Sequence, residues 1–393
     1  MSAALTATIG WSTNAEGRDA GAEAGGRARD RLLRSPPKLA LVFGSSWLDQ
    51  AAMLSGVREA LPGVTLAGIS TSGEILPDGP VSHSCVVMLL AADTLPCRVG
   101  AGEAADRNPR EAGRQAAFAA GRGFQAPRTG FLLFGDGLVA GAAETVRGVQ
   151  EVVGTSSLIA GGLAGDDQRY ACTYQYANDR ALTRGASGVL LGRPVKIGVG
   201  LAHGFAPISR PRRVTRSQGQ LLLELDHLPA ASVYEEYFGR DQVARMRDAR
   251  VGRQGVAYPL GIRGQAADEW LLRTVVAFGD GGSLACSGDV QDGDWLQLMI
   301  GSRELILDAA RRAALSAVRG LDRVAGVIVL DSVVRKTLLG PQHAAMEIAR
   351  IRQAVGASTP LAGCYTYGAQ ATLGGAEHRG GQTGSVLVIA FGE

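Results

Sequence analysis

Three stretches of the chain repeat one alternation of apolar and polar positions. In each, an apolar run of strand length turns into a segment with apolar residues at i, i+3 and i+7. A second apolar run follows and ends among glycines. The first starts at Leu39-Ala40-Leu41-Val42-Phe43-Gly44-Ser45-Ser46, passes Leu54, Val57 and Leu61, and ends at Leu66-Ala67-Gly68-Ile69-Ser70-Thr71-Ser72-Gly73-Glu74-Ile75. The second runs from Phe131-Leu132-Leu133-Phe134-Gly135-Asp136-Gly137 past Val146, Val149 and Val153 to Leu158-Ile159-Ala160-Gly161-Gly162-Leu163-Ala164-Gly165-Asp166-Asp167. The third runs from Gly326-Val327-Ile328-Val329-Leu330-Asp331-Ser332 past Ile348, Ile351 and Val355 to Pro360-Leu361-Ala362-Gly363-Cys364-Tyr365-Thr366-Tyr367-Gly368. The spacing predicts strand–helix–strand in each, with Pro341 near the first turn of the third helix and Gly154 and Gly356 as stops. A further apolar strand follows each unit, at 85–91, 188–191 and 384–391.

Leu-Ala-Gly-x-x-Thr-x-Gly occurs at 66–73 and again at 361–368, at the same place within its unit, which points to internal duplication. Strand–helix alternation predicts an α/β fold with largely parallel sheets, and ligands in such sheets bind beyond the carboxyl ends of the strands. Those ends carry the Gly-rich loops. Between the second and third units the texture becomes β-rich. A hairpin is expected over 214–226, a short helix over 232–238, strands near 258–261, 270–278 and 295–300, and a long Ala-rich helix over 301–319. The reading is therefore two α/β domains of repeated units with a β-rich middle segment. Residues 1–34 supply a leading strand and helix, 35–229 the first domain and 230–393 the second.

Composition narrows the function. The chain has 393 residues, 46% of them hydrophobic and 20% charged, with Lys+Arg 40 against Asp+Glu 37 and a net charge of +3. No window approaches the roughly 18 apolar residues that span a bilayer. Residues 1–10 lack the basic and apolar regions of a signal peptide, so a cytoplasmic protein is expected. Gly numbers 55, about twice the usual share, and is read as supplying strand-to-loop turns. The Arg clusters at 210–213 and 240–253 read as solvated faces, not a nucleic-acid surface. Five cysteines (Cys85, Cys97, Cys172, Cys286, Cys364) form no C-x-x-C pair, which excludes zinc-finger spacing.

The common enzyme signatures are missing: no P-loop, no H-E-x-x-H and no G-x-S-x-G. Gly198-Val199-Gly200 falls inside a strand and has no third glycine at the dinucleotide spacing. What remains is a set of polar residues on the strand-end loops. Asp136 either points into the crevice or caps the following helix. Asp166 and Asp167 either receive a cation or close an Asx-turn. Convergence of a few such groups over an apolar floor suits a small-ligand pocket. If the loops share one crevice, Thr71, Glu74, Asp136, Asp166 and Thr366 lie close together. The rival is an enzyme using Asp136, Asp166 and Asp167 as acid/base or metal-binding groups.

Gly10-Trp11-Ser12, the Gly-x-Ser-Thr-Ser-Gly-Glu loop at 68–74, Phe134-Gly135-Asp136-Gly137 and Gly161-Gly162-Leu163-Ala164-Gly165-Asp166-Asp167 together resemble the FIST N-terminal domain. Val214-Thr215, Glu224-Leu225-Asp226, Tyr258-Pro259-Leu260-Gly261, Asp331-Ser332-Val333-Val334-Arg335 and Gly363-Cys364-Tyr365-Thr366-Tyr367-Gly368 resemble the FIST C-terminal domain. The chain departs from the family at Ala369, where Glu is usual. Gly381 stands in place of Asn before Gln382-Thr383.

The resemblance implies a bacterial-type, non-enzymatic small-ligand sensor in signal transduction, with an amino acid as the proposed ligand class. Its signal would pass to a partner such as a histidine kinase or a cyclic-di-GMP enzyme. The expected ligand-binding residues are Thr71, Ser72, Gly73, Glu74, Asp136, Gly162, Gly165, Asp166, Asp167, Thr366 and Gly368, with no cofactor. The alternative implied by haem-binding members is a nitric-oxide sensor. Of the five histidines, His203 is then the best-placed axial ligand, ending an apolar strand before Gly204 and Phe205. His378 and His83 are less well placed, and His227 and His343 read as turn and first-turn residues.

Overall fold

Each of the three predicted strand–helix–strand units forms, and each nucleates its own sheet. The computed structural model describes residues 4–33, 35–248, 258–264, 270–372 and 383–393. Arg250, Arg253, His378, Gly381 and Gln382 lie outside the described residues. In the first unit Pro37–Ser45 runs into the helix Gln50–Ala60 and returns parallel as Thr65–Thr71. The second is Arg128–Gly135, Ala142–Val153 and Ile159–Leu163; the third is Val324–Ser332, Val333–Val355 and Leu361–Thr366. The helix faces read from spacing are the buried ones, with Leu54, Val57, Val146, Val149, Ile348 and Ile351 all at 0% exposure. In the third helix Gly340 breaks the path at φ 70°, ψ 172°, and Pro341 restarts it. The extra segment before the break was not expected, because Ser332-Val333-Val334 continues the texture of a strand.

The sheets are less parallel than expected. One parallel pair sits in each, flanked by an antiparallel strand (Cys85–Ala91, Ala186–Gly192 or Val386–Gly392) and then by an outer strand (Thr6–Ser12, Cys97–Gly102 or Lys196–Ala202). Parallel neighbours need a long crossover, and only one crossover helix lies inside each sheet. The outer strands carry three further helices, Gly17–Asp30, Pro109–Gly121 and Arg303–Val318.

The far edge of each sheet is completed by a neighbour. The hairpin of Glu74–Leu76 and Gly79–Val81, leaving the first unit, pairs with Leu361–Thr366 of the third. The hairpin of Gln175–Ala177 and Arg180–Leu182, leaving the second, pairs with Thr65–Thr71 of the first. Gly368–Ala371, leaving the third, pairs with Ile159–Leu163 of the second. The exchange is cyclic, so all three units lock together.

The segment between Ala202 and Arg303 is inserted between an outer strand and its helix, where the first two units need only residues 13–16 and 103–108. It forms a sheet of nine strands among the described residues, with its own core of Val214, Leu222, Leu225, Tyr234, Leu260 and Leu298. The chain is thus a two-domain α/β protein with a β-rich middle. The expected hairpin (Arg212–Gln218 with Leu221–Leu225) and short helix (Ser232–Phe238) are both present there. Arg212 corrects the solvated reading of its cluster. It is 2% exposed and pairs with Asp226 and Glu236.

Much of the glycine serves close approach and not turns. A Cβ on Gly68, Gly161 or Gly363 would lie 1.8, 1.7 or 1.9 Å from the carbonyl oxygen of Val42, Leu133 or Val329, the residue paired opposite. That shared contact explains why Ala-Gly recurs in all three units. Gly161→Ala is expected to cost about 1–3 kcal/mol in urea unfolding. Gly26→Ala, on a helix with nothing within 4 Å, should instead add about 0.5–1 kcal/mol. Equal effects from the two would remove the close-approach account.

Candidate functional site

The cyclic exchange brings the strand-end loops to one place. Ser72 N donates to Tyr365 O and Tyr365 N to Gly73 O, both at 2.8 Å. Gly165 N donates to Ser70 O (2.9 Å), Ser70 Oγ to Gly165 O (2.8 Å), and Tyr367 N to Leu163 O (3.0 Å). Thr71, Ser72, Gly73, Glu74, Gly162, Gly165, Asp166, Asp167, Thr366 and Gly368 therefore stand on adjoining strand ends and the loops between them. Asp136 stands on the loop beside them, where Gly137 lies against Ala164 O and Tyr367.

Their side chains, however, mostly serve one another. Glu74 is fully buried and accepts from Thr71 Oγ1, Ser84 N (3.1 Å) and Ser84 Oγ (2.5 Å); burial pushes its carboxyl up to about 7. Thr366 Oγ1 donates to Asp331 O at 3.2 Å. Asp166 accepts from the N–H groups of Tyr170 (3.0 Å), Ala171 (2.7 Å) and Cys172 (3.0 Å) and from the Tyr367 hydroxyl. Asp136 accepts from Leu138 N (2.8 Å) and Arg184 N (2.9 Å), and is not the cap of the next helix, which is Gly141. Loops that turn several N–H groups inward need an acceptor for them, and these two carboxylates are it. Both are buried, and of the trio Asp136, Asp166 and Asp167 offered for an enzyme these two have their carboxylates committed to backbone N–H groups. Asp167 is half-buried; burial raises its pKa against the pull of Lys336. Lys336 Nζ donates to Ser72 O at 2.8 Å and lies 4.7 Å from the centre of the Tyr365 ring.

The open space is one step away. A cavity of about 810 Å³ lies between the second unit and the β-rich segment. One wall is the loop 137–143 with Leu163, Tyr170 and Tyr367. The other is 274–278 and 286–289, and Val333, Val334 and Thr383 join them. Tyr170 stacks on Tyr367 with ring centroids 5.3 Å apart, 14° from parallel. The polar end is a hydroxyl trio. Thr383 Oγ1 lies 3.1 Å from Thr274 Oγ1 and 2.9 Å from Ser287 Oγ, which also accepts from Thr274 N. Three hydroxyl protons serve two oxygen–oxygen contacts, so among the described residues one proton is left over to donate. Cys286 also lines the cavity, but burial pushes its thiol up to about 12, which leaves it unreactive. Sequence reasoning missed this site. Its hydroxyls come from three separate segments, and only Thr383 carried a signal, within the Gln382-Thr383 pair.

The motif Asp331-Ser332-Val333-Val334-Arg335 sets the cavity wall. Val333 and Val334 line the cavity, and Ser332 Oγ holds Gly384 N at 3.0 Å beside Thr383. Arg335 is fully buried and donates to His203 O (2.5 Å) and Ile306 O (3.0 Å), the entry and exit stems of the inserted segment. It is paired with Asp331 at 2.9 Å and with Glu347, both also fully buried.

His203 does not fit an axial haem ligand. Its Nδ1 accepts from Phe205 N at 2.9 Å, which puts the ring proton of the neutral imidazole on Nε2. A haem-ligating imidazole presents a bare nitrogen to the iron and donates its other N–H. Burial and the charge of Arg335 lower this ring to about 4 and keep it neutral. It does not line the cavity.

The family model described as the FIST N domain matches residues 38–228, and that described as the FIST C domain matches 230–372. No curated protein matches the chain. Among solved structures, a cyanuric acid hydrolase from A. caulinodans is 12% identical at a TM-score of 0.39, with 99% of this chain and 100% of that chain covered. T. maritima PurL complexed with FGAR is 11% identical at a TM-score of 0.25, with 100% and 73% covered. At these TM-scores neither likeness bears on function.

Proposed function

The chain belongs to the FIST family, domains associated with small-ligand sensing in signalling, and from that premise we propose that it is a sensor whose ligand occupies the cavity between the second unit and the β-rich segment. The observation that carries the reading is a chamber of about 810 Å³ with a hydroxyl proton left over, among the described residues, at the Thr274–Ser287–Thr383 trio. Arg247 at the rim, 3.6 Å from Glu235, supplies a cation for an anionic ligand group. An amino acid remains the ligand class under this proposal. A cytoplasmic location and an output through a histidine kinase or cyclic-di-GMP enzyme belong to it too. The rival enzyme loses support with Asp136 and Asp166 committed to backbone N–H groups.

A thermal-shift screen of amino acids and other metabolites tests the reading. One specific hit without turnover is expected. Val276→Trp, which fills the chamber, should weaken it by about tenfold or more. Thr383→Val, which removes the shared hydroxyl, should weaken it by about tenfold. A hit that is turned over, or that ignores both substitutions, would sink the proposal.

A further inference from the structure

At the cavity rim the residues 166–172 face two ways. Tyr170 stacks on Tyr367 in the cavity wall, while Arg169 lies outward over the indole of Trp47, its guanidinium carbon 4.5 Å from the ring centroid. Trp47 is 58% exposed and Tyr170 65%. His83 extends the same face, 5.5 Å from Trp47.

Exposed Trp and Arg side chains ordinarily sample many rotamers, but these are held. Trp47 N donates to Ser45 Oγ at 3.3 Å, and its ring lies between the Arg169 guanidinium and the His83 imidazole. Arg169 donates through Nε to Asp166 O (3.2 Å) and through Nη2 to Ser46 O (3.1 Å) and Ser46 Oγ (3.0 Å). The backbone is fixed by the three N–H groups on Asp166, with Asp167, Gln168 and Tyr170 at φ of 56°, 60° and 52°. Non-glycine residues adopt that region at a cost, which the surrounding contacts must hold in place. The Asp166 carboxylate at the root of the loop is fully buried, while residues 168–171 that it holds are exposed.

A rigid, exposed Trp–Tyr–Arg surface has the composition of an interface hot spot, with its ordering entropy lost before any partner arrives. Arg169 Nη1 has no acceptor among the described residues, so a carboxylate would satisfy the donor that Nε and Nη2 leave over. We propose that Trp47, His83, Arg169 and Tyr170 form a docking surface for a partner protein that presents Asp or Glu beside a large apolar side chain. Tyr170 belongs to both this surface and the cavity wall, so a ligand that moves its ring changes what the partner meets. That output role rests on the sensor reading; the docking itself does not.

The test pans a phage-displayed library of random linear peptides on the whole protein, with counter-selection on the Trp47→Ala, Arg169→Ala double variant. Enriched peptides should carry an acidic residue beside Leu, Phe or Trp. A synthetic representative should lose about tenfold or more in affinity to Trp47→Ala or to Arg169→Ala. Arg169→Lys, which keeps the charge but not the Nε and Nη2 anchors on Asp166 O and Ser46, should also weaken binding. Three results would overturn the proposal: no enrichment, peptides that bind the double variant equally, or a homodimer in sedimentation that Trp47→Ala dissolves. No cavity ligand enters this assay, so an empty metabolite screen leaves its outcome intact.

Discussion

Arg335→Met should destabilise the protein by about 3–5 kcal/mol, the range for removing one partner of a buried ion pair. Arg335, Asp331 and Glu347 are all at 0% exposure. Two ionised carboxylates against one guanidinium would leave a buried net charge. Burial, and then the neighbouring Glu347, push Asp331 well above the usual carboxylate range despite the pull of Arg335. Asp331 is thereby favoured in its neutral form beside Arg335. Methionine fills the volume but leaves Glu347 unpaired and both stem carbonyls, His203 O and Ile306 O, without their donor. Glu347→Gln should cost less, because Asp331 can then ionise against Arg335.

The stems make a second readout available. Trp270 and Trp295 lie in the inserted segment, Trp11 and Trp47 in the first unit. Loss of the clamp should separate their unfolding transitions in urea, so that one midpoint no longer describes the chain. A variant that unfolds at the wild-type urea concentration in a single step would show that the clamp holds nothing.

What could be read from the sequence was what is local. A continuous apolar run marks Pro37–Ser45 and a period of 3.6 the buried face of Gln50–Ala60, because neighbouring residues alone generate them. The Leu-Ala-Gly match at 66 and 361 was legible as a repeat. Its cause was not: the carbonyl opposite Gly68 belongs to another strand. The pairing of Glu74–Leu76 with Leu361–Thr366 links segments that no periodicity connects. The site divides the same way. Asp166 has the right chemistry for a ligand or a turn, and only the three N–H groups that face it decide for the turn. The placing of the loops at strand ends was readable; the facing of Thr274 and Ser287 toward Thr383 was not, since it depends on how the insertion folds back.

Glu74→Gln should make the protein more stable than wild type at pH 8, by about 3 kcal/mol, with the gap closing toward pH 5. Burial is the main cause that moves the Glu74 carboxyl from its ordinary 4.5 to about 7, outweighing the bonds from Ser84 and Thr71. The folded value is raised, so the group's contribution is complete below about 4.5 and lost as pH rises through 7. The rise of about 2.5 corresponds to about 3 kcal/mol. Glutamine cannot ionise, and with its oxygen toward Ser84 and its amide toward Thr71 Oγ1 it keeps the same partners. Subtracting the variant from wild type at each pH removes every other titrating group. Glu74 pairs with Cys364 in the third sheet, so ionisation strains the junction where the first unit's hairpin completes that sheet. Amide exchange over 74–81 should therefore speed up in wild type between pH 5 and 8 beyond the intrinsic rate, and should not do so in the variant. Parallel urea midpoints for the two proteins across that range would mean that Glu74 stays ionised in its buried site.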